Sequence, residues 1–187
     1  TAAHCWWDGR NQATSVTVIL GSILLFSGGT RLTTSNVVMH GSWSPSLIRN
    51  DIAIIQLPSS VNNIAPVALP SGSQLNENFS GSSAVASGFG LTRDGNTSQF
   101  LSHVNVNIIS NTVCSLSFPF IIQSSNICIS GANGRSTCNG DSGGIATMFK
   151  ANLSNTYHHL RLNKSMAENG MRHQLSFFVI FMTSQKI

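Results

Sequence analysis

The first 110 residues of the chain contain short stretches in which apolar and polar side chains alternate. Alternation with a period of two is typical of β-strands that cover a core with one face. Clusters of Gly, Ser, Asn and Pro bound these stretches and predict turns. We therefore expect strands within residues 15–21, 30–40, 82–90 and 101–110, and a largely buried strand within residues 50–58.

A helical pattern is confined to residues 110–116, where Ser110 or Asn111 is the candidate N-cap. Strands that do not alternate with helices do not build a parallel βαβ sheet. The predicted fold class is therefore all-β, with antiparallel strands in a barrel or a sandwich. At 187 residues the chain is long enough for one domain with a sizeable core.

The distribution of charge argues against a nucleic-acid partner. The net charge is +4, yet the residues up to Gly144 include five basic and five acidic side chains, and all the excess lies in residues 145–187. These basic residues are dispersed and are not interleaved with aromatic ones, so they predict no nucleic-acid-binding face. The apolar run at 175–182 is too short to span a bilayer, so no membrane partner is expected.

Ser142 lies in the segment CNGDSGG, residues 138–144. A nucleophilic serine needs a tight turn that exposes its Oγ while backbone N–H groups converge on the developing oxyanion. Gly140 would let the backbone approach a substrate without a Cβ in the way, and Ser142 itself would supply a second N–H. Taken alone, the segment is also compatible with a Gly/Ser turn that has no chemistry, although this is the weaker interpretation.

Two further residues supply what such a serine requires. His4 lies in TAAHC beside two small alanines, and Asp51 opens the apolar segment NDIAIIQL, which would bury its carboxylate at a strand end. Alone, His4 is more often structural and Asp51 more often a turn residue. Together with Ser142 they provide a base, an orienting carboxylate and a nucleophile, the set that acyl transfer uses.

The three segments TAAHC, NDIAIIQL and CNGDSGG resemble the motifs of the chymotrypsin-like (trypsin-fold, S1) serine proteases, and in detail those of insect chymotrypsin-like enzymes. GFG at 88–90 and NICIS at 126–130 stand where that family has related strings. The resemblance covers residues 1–144. It implies a double antiparallel β-barrel and a serine endopeptidase that works through an acyl-enzyme.

The resemblance also implies a role for each matched residue. Ser142 resembles the nucleophile, His4 the general base and then acid, and Asp51 the carboxylate that holds His4. The N–H groups of Gly140 and Ser142 resemble the oxyanion hole. Ser136 matches the base of the primary specificity pocket, and a neutral residue there implies a preference for large apolar P1 residues.

The four cysteines, Cys5, Cys114, Cys128 and Cys138, allow three pairings. The resemblance implies a Cys114–Cys128 disulfide and places the partners of the other two outside the matched stretch. Asp141 matches the activation-pocket residue that receives a newly cut N-terminal amine in the family. No matching Ile segment is present, so we expect Asp141 to turn to solvent and the chain to have little activity.

Residues 145–187 do not match the family and have no strand alternation, and they lack the family's substrate-binding strand and second pocket wall. The predicted organisation is therefore a partial protease domain over 1–144 and a tail over 145–187 that is disordered or a sequence artefact. We interpret the chain as a fragment of a secreted, extracellular protein whose signal peptide and activation segment are absent. Glycosylation motifs at Asn78 and Asn96 agree with secretion.

The expected partners are protein or peptide substrates and protein protease inhibitors, with a monomeric state and with no cofactor or metal. A non-catalytic protease homologue that acts as a binding module is the main alternative. Such homologues usually lack a member of the triad, whereas His4, Asp51 and Ser142 are all present. An unrelated β-sandwich adhesion domain would require all three motifs to be coincidental.

The string GDSGG also satisfies the serine motif of α/β-hydrolases, which need their acid and base after the nucleophile. The candidates there are Glu168, His158, His159 and His173. No βα pattern accompanies them. A metal site at His158 and His159 likewise lacks a surrounding ligand cluster.

Overall fold

A computed structural model describes residues 1–67, 76–149, 157–160, 173–174 and 183–186. Strands are the main secondary structure of these residues. In chain order they are β1 (Ala13–Leu20), β2 (Thr30–Thr34), β3 (Val37–Met39), β4 (Ala53–Ile55), β5 (Ser83–Gly88), β6 (Ser102–Ile109), β7 (Cys128–Ile129), β8 (Ile145–Phe149), β9 (Tyr157–Leu160), β10 (His173–Gln174) and β11 (Thr183–Lys186). The described part of the chain contains one α-helix, α1 (Asn111–Ser117), and no helix in it has the length and apolar character of a membrane span.

Every pairing between the described strands is antiparallel. One sheet has the order β11-β1-β2, and a second has the order β10-β7-β6-β5-β8-β9. A separate pair is formed by β3 and β4. The antiparallel arrangement predicted from the sequence is therefore confirmed.

Two predicted strands differ from the observed ones. The stretch 30–40 is two strands, because Asn36 donates its N–H to Thr34 Oγ1 (3.0 Å) and its Nδ2 to Gln56 Oε1 (2.7 Å). Such local side-chain bonds compete with the sheet ladder and interrupt it. The strand within 50–58 is shorter and less buried than predicted: among the described strands β4 pairs only with β3, and Ile54 is 70% exposed.

Each of the two larger sheets covers its own apolar cluster. Val16 and Val18 of β1 pack with Ile55, whereas Val106 and Ile108 of β6 lie in a second cluster with Ala84 and Ile129. Burial of each such Val or Ile side chain contributes about 1.5–3 kcal/mol. A third cluster joins Ile19 of β1 to Leu25 and to Phe89, which follows β5. It therefore connects the first sheet to the end of β5.

Helix α1 is held in place by an N-terminal cap and by a disulfide. Ser110 caps its N-terminus by accepting the N–H of Val113 at 3.3 Å, which is one of the two predicted caps. Cys114 of the helix forms a disulfide with Cys128 of β7, with the Cα atoms 6.2 Å apart. This pairing is the one that the resemblance implies.

The chain continues as a strand after Gly144, where the sequence pattern predicts none. In β8, Thr147 pairs with Val85 and Ile145 with Ser87 of β5. The segment Ile-Ala-Thr-Met-Phe is apolar and partly β-branched, and it satisfies the backbone groups that β5 would otherwise leave unpaired at its edge. The tail strands β9, β10 and β11 also pair with neighbours; Glu168 lies outside the described residues.

Candidate active site

The segment that carries His4 lies against the start of β4. Thr1 N donates to the carbonyl of Ala53 at 2.9 Å, and Ala53 N donates back to the carbonyl of Thr1 at 2.8 Å. Ala2 and Ala3 are fully buried, which small side chains permit at this close approach. A short 3₁₀ turn, Ala3–Cys5, then presents the His4 ring next to Asp51, which lies two residues before β4.

Asp51 holds His4 by both carboxylate oxygens. Oδ2 lies 2.7 Å from His4 Nδ1, and Oδ1 accepts the His4 backbone N–H at 2.8 Å. The Asp51 side chain is 0% exposed and the His4 side chain 28% exposed. In the neutral ring, a buried carboxylate on Nδ1 selects the tautomer that carries its proton there, and Nε2 is then the nitrogen that can accept a proton.

The same contacts shift the acidity of the ring. Burial lowers the pKa of His4, but the hydrogen bond to Asp51, and after it the one to Cys5, raises the pKa and prevails. The result is a pKa raised from 6.5 to about 10. The site therefore favours the protonated imidazolium, the form that a general base reaches when it has taken a proton.

The loop 138–144 is folded into consecutive tight turns. Asp141 N donates to the carbonyl of Cys138 (3.1 Å) and Gly144 N donates to that of Asp141 (2.9 Å). Gly140 and Gly143 have φ of 96° and 77°, the left-handed region that favours glycine. A Cβ on Gly143 would lie 3.2 Å from Ala2 N and 3.4 Å from Cys5 Sγ, so glycine lets this loop pack directly on the His4 segment.

The structure thus packs the loop that contains Ser142 on the segment that contains His4, and it also brings there a residue that the sequence analysis did not place in the site. Cys5 Sγ lies 3.8 Å from His4 Nε2 and donates to the carbonyl of Ser142 at 3.6 Å. Within the described residues no hydrogen bond joins Ser142 Oγ to His4. The one signal for Cys5 in the sequence is its position directly after His4.

Within the described residues, the two backbone donors assigned to the oxyanion hole meet no acceptor, and neither does the N–H of Gly143. The two donors are the N–H groups of Gly140 and Ser142, whereas those of Asp141 and Gly144 do meet acceptors. Unpaired N–H groups on either side of a tight turn can converge on an anionic oxygen.

Asp141 is not turned to solvent, and that expectation is wrong. Its Oδ1 accepts the N–H of Gly90 at 2.7 Å and its Oδ2 accepts the N–H of Cys138 at 2.9 Å. Two backbone donors offset the desolvation of the carboxylate and hold it inside. Glycine is required opposite it, because a Cβ on Gly90 would lie 2.5 Å from Asp141 Cγ and one on Gly88 would lie closer still to Oδ1.

Ser136 and Asp141 line one pocket, which has a volume of about 380 Å³. Ser136 Oγ donates to the carbonyl of Thr137 at 3.1 Å, and His103 and Arg93 also border the pocket. His4 and Ser142 are not among its lining residues. The residue assigned to the specificity pocket and the residue assigned to the activation pocket therefore share one cavity.

Antiparallel sheets, a buried Asp–His pair and a glycine-rich serine loop packed against that pair define the class of the chymotrypsin-like serine proteases. The family model described as Trypsin matches residues 1–150. The chain belongs to the trypsin family. The match extends six residues beyond Gly144, where the resemblance stops in the sequence analysis.

Curated relatives agree with this assignment. The chain is similar to a collagenase of Hypoderma lineatum, with 36% identity over 157 residues that cover 82% of this chain and 58% of that protein. It is also similar to a chymotrypsin of Phaedon cochleariae, with 38% identity over 151 residues, 77% of this chain and 53% of that protein. The chain thus spans little more than half the length of either relative.

A solved structure supports the fold. The structure described as HL collagenase superposes with a TM-score of 0.78 at 31% identity, covering 94% of this chain and 75% of that chain. The all-β chymotrypsin/trypsin fold predicted from the motifs is therefore confirmed.

Proposed function

We propose that the protein is a serine endopeptidase in which Ser142 is the nucleophile, His4 the general base and then acid, and Asp51 the carboxylate that orients His4. The observation that carries the proposal is the Asp51–His4 pair, joined at 2.7 Å, beside the loop that contains Ser142. Membership of the trypsin family and relatives named as collagenase and chymotrypsin support it.

The reaction follows from these groups. Ser142 Oγ attacks the scissile carbonyl carbon while its proton passes to His4 Nε2, and the buried charge of Asp51 stabilises the imidazolium. The N–H groups of Gly140 and Ser142 hold the tetrahedral oxyanion, with each donor contributing about 3 kcal/mol. His4 then protonates the leaving amine, and water repeats the sequence to release the acyl group from Ser142.

Specificity, partners and location are part of the same proposal. A neutral Ser136 at the pocket favours large apolar P1 residues in protein or peptide substrates, and protein protease inhibitors are the expected binding partners. We propose a monomeric, secreted and extracellular protein. We also propose that residues 1–144 form the protease domain that carries the functional residues and that residues 145–187 are a tail whose first strand, β8, pairs with β5 of that domain.

We further propose that the chain 1–187 has little proteolytic activity by itself. Its support is the missing hydrogen bond between Ser142 Oγ and His4 within the described residues, together with the sulfur of Cys5 at 3.8 Å from Nε2. Without the proton acceptor in contact, the serine hydroxyl is a weak nucleophile. Ser142 is then expected to react slowly with serine-directed reagents such as fluorophosphonates, and to be the serine that reacts.

The experiment compares the chain with Ser142→Ala and with the exposed-serine control Ser46→Ala. Hydrolysis of peptides with Phe or Tyr at P1 is measured, and the reacted serine is located by mass spectrometry after treatment with a fluorophosphonate. We expect slow labelling at Ser142, retained in Ser46→Ala and absent in Ser142→Ala. No labelling at Ser142 would favour the non-catalytic binding module, and rapid steady hydrolysis would refute the low activity.

A further inference from the structure

The loop that contains Ser142 begins with an asparagine that is followed directly by a glycine. Asn139 and Gly140 are both exposed to solvent. They occupy the two central positions of a tight turn, which Asp141 N closes by donating to the carbonyl of Cys138 at 3.1 Å. The φ of Gly140 is 96°, a positive value of the kind that a type II turn requires at its third residue. The pair therefore lies at the surface, in a turn whose conformation depends on the glycine.

An Asn–Gly pair can rearrange with water as its only co-reactant. Once the backbone nitrogen of Gly140 has lost its proton to base, it can attack Cγ of the Asn139 side chain, since the glycine has no Cβ to hinder the approach. Within the described residues the Gly140 N–H meets no acceptor, so no hydrogen bond has to break before the proton leaves. Solvent exposure, the missing Cβ and the unpaired N–H all favour this reaction at Asn139.

The same turn is packed against a neighbouring segment that holds Asp141. The carbonyl of Asn139 accepts the N–H of Leu91 at 2.8 Å, and a Cβ on Gly140 would lie 3.1 Å from Gly90 Cα. Gly90 in turn donates its N–H to the Asp141 carboxylate at 2.7 Å. A longer main chain at position 139 would therefore disturb both the turn and the segment beside it.

We propose that Asn139 is a deamidation site, and that its conversion to isoaspartate opens the turn and impairs the backbone donors that face the proposed oxyanion. The nitrogen of Gly140 forms a bond with Asn139 Cγ, the bond from Cγ to the side-chain nitrogen breaks, and ammonia leaves with the proton from Gly140. Water then opens the succinimide ring. Cleavage of the new bond gives aspartate, whereas cleavage of the original peptide bond gives isoaspartate, and no electrons are transferred.

Isoaspartate at position 139 would act on the serine site in two ways. The main chain gains one carbon directly before Gly140, which displaces one of the two N–H groups proposed to hold the oxyanion. The former carbonyl of Asn139 also becomes a carboxylate, and this adds a negative charge near the place where the oxyanion develops its own. This half of the proposal rests on the proposed function, whereas deamidation and the opening of the turn do not.

The chain offers a matched comparison for the reaction. Asn133–Gly134 and Asn169–Gly170 are the other Asn–Gly pairs of the sequence. The first is exposed and lies outside the loop 138–144, and the second lies outside the described residues. Conversion of Asn133 therefore shows that the incubation is sufficient without altering the loop. Replacement of either asparagine by glutamine blocks its reaction, because the longer side chain would have to close a less favoured six-membered ring.

The first test incubates the folded chain 1–187 for several days at mildly alkaline pH. Converted asparagines are located by peptide mass spectrometry and by methyl transfer with protein isoaspartate methyltransferase, and amide hydrogen exchange is followed at Leu91 and Asp141. We expect Asn139 to convert as readily as Asn133, and both amides to exchange faster in the converted chain. An Asn139 that stays intact would overturn the deamidation site, whether or not Asn133 converts. Unchanged exchange after conversion would overturn the opening of the turn.

The second test measures fluorophosphonate labelling of Ser142 before and after the same incubation. The unsubstituted chain is compared with Asn139→Gln and with Asn133→Gln. Loss of one oxyanion-hole donor costs about 10²–10³-fold in an assembled site, so we expect labelling of the converted molecules to fall at least about tenfold. Asn133→Gln should show the same fall, whereas Asn139→Gln should keep its own initial rate.

Unchanged labelling of a chain that carries isoaspartate at position 139 would overturn the second half of the proposal. An equal fall in Asn139→Gln would also overturn it, since the loss would then have another cause. Conversion of Asn139 with faster exchange, in a chain that never takes the serine label, would support the deamidation site and refute the proposed function. The two failures are therefore distinguishable.

Discussion

The carboxylate of Asp51 binds His4 at two points, with Oδ2 at 2.7 Å from the ring Nδ1 and Oδ1 at 2.8 Å from the backbone nitrogen. One contact fixes the tautomer and the other fixes the backbone from which the ring projects. A substitution at Asp51 therefore tests the orientation of the proposed base without touching Ser142.

Asp51→Asn should slow the fluorophosphonate reaction of Ser142, because the amide can donate to Nδ1 and so favours the tautomer with its proton on Nε2. In an assembled triad this change costs about 10⁴-fold, and we expect a smaller loss in the same direction here, since no hydrogen bond joins Ser142 Oγ to His4 in the described residues. Asp94→Asn, at an exposed carboxylate, is the matched control and should label at the original rate. Equal labelling of both variants would contradict the role of Asp51.

The raised pKa of His4 predicts a specific dependence of stability on pH. The pKa is about 10 in the folded chain and 6.5 without these contacts, so the folded state binds this proton more tightly. The stabilisation is fully present below pH 6.5 and is lost as the pH rises through about 10. Urea unfolding over this range should show a steeper fall in the free energy of unfolding for the unsubstituted chain than for His4→Gln, and equal slopes would contradict the shift.

Gly90→Ala tests the position of the Asp141 carboxylate. The new Cβ would lie 2.5 Å from Asp141 Cγ, so either the carboxylate or the 88–90 segment must move. We expect the free energy of unfolding to fall by roughly 1–3 kcal/mol, as for other overpacked sites. Among the described residues, no atom outside the neighbouring ones lies within 4 Å of a Cβ placed on Gly41. Gly41→Ala should therefore change stability by less than about 0.5 kcal/mol, and similar losses in both variants would argue against the contact.

Removing the Cys114–Cys128 disulfide should destabilise the chain. The bond closes a loop with a sequence separation of 14 and ties α1 to β7, and a loop of this size corresponds to about 3 kcal/mol. The double variant Cys114→Ala, Cys128→Ala is compared with Cys138→Ala in urea unfolding. We expect a large loss in the free energy of unfolding in the double variant only. Comparable urea midpoints for the two variants would show that the disulfide does not stabilise the fold.

The sequence predicts the parts of the fold that local patterns determine. Alternation locates β1, β5 and β6 within a few residues, since one face of each strand lies on the core. It does not predict the break at Asn36, which depends on a bond to Gln56 twenty residues away. It also does not predict β8, whose register comes from its partner β5.

The same distinction applies to the site. The order of His4, Asp51 and Ser142 in short motifs is visible in the sequence, and the structure joins the first two by hydrogen bonds. The backbone donors that keep Asp141 inside are contributed by Gly90 and Cys138, and only the folded loop shows them. Likewise, the contact between the Cys5 sulfur and the Ser142 carbonyl depends on the packing of the loop 138–144, and the motif HC does not show it.

The central claim is that Ser142 is a nucleophile served by His4. It is tested most directly by locating the fluorophosphonate adduct in the folded chain and comparing its rate of formation with that in His4→Ala and in the urea-unfolded chain. The account predicts one adduct, at Ser142, that forms at least about a hundredfold faster than in either comparison, the scale of a general base. An adduct at other serines, or equal rates in all three samples, would contradict it.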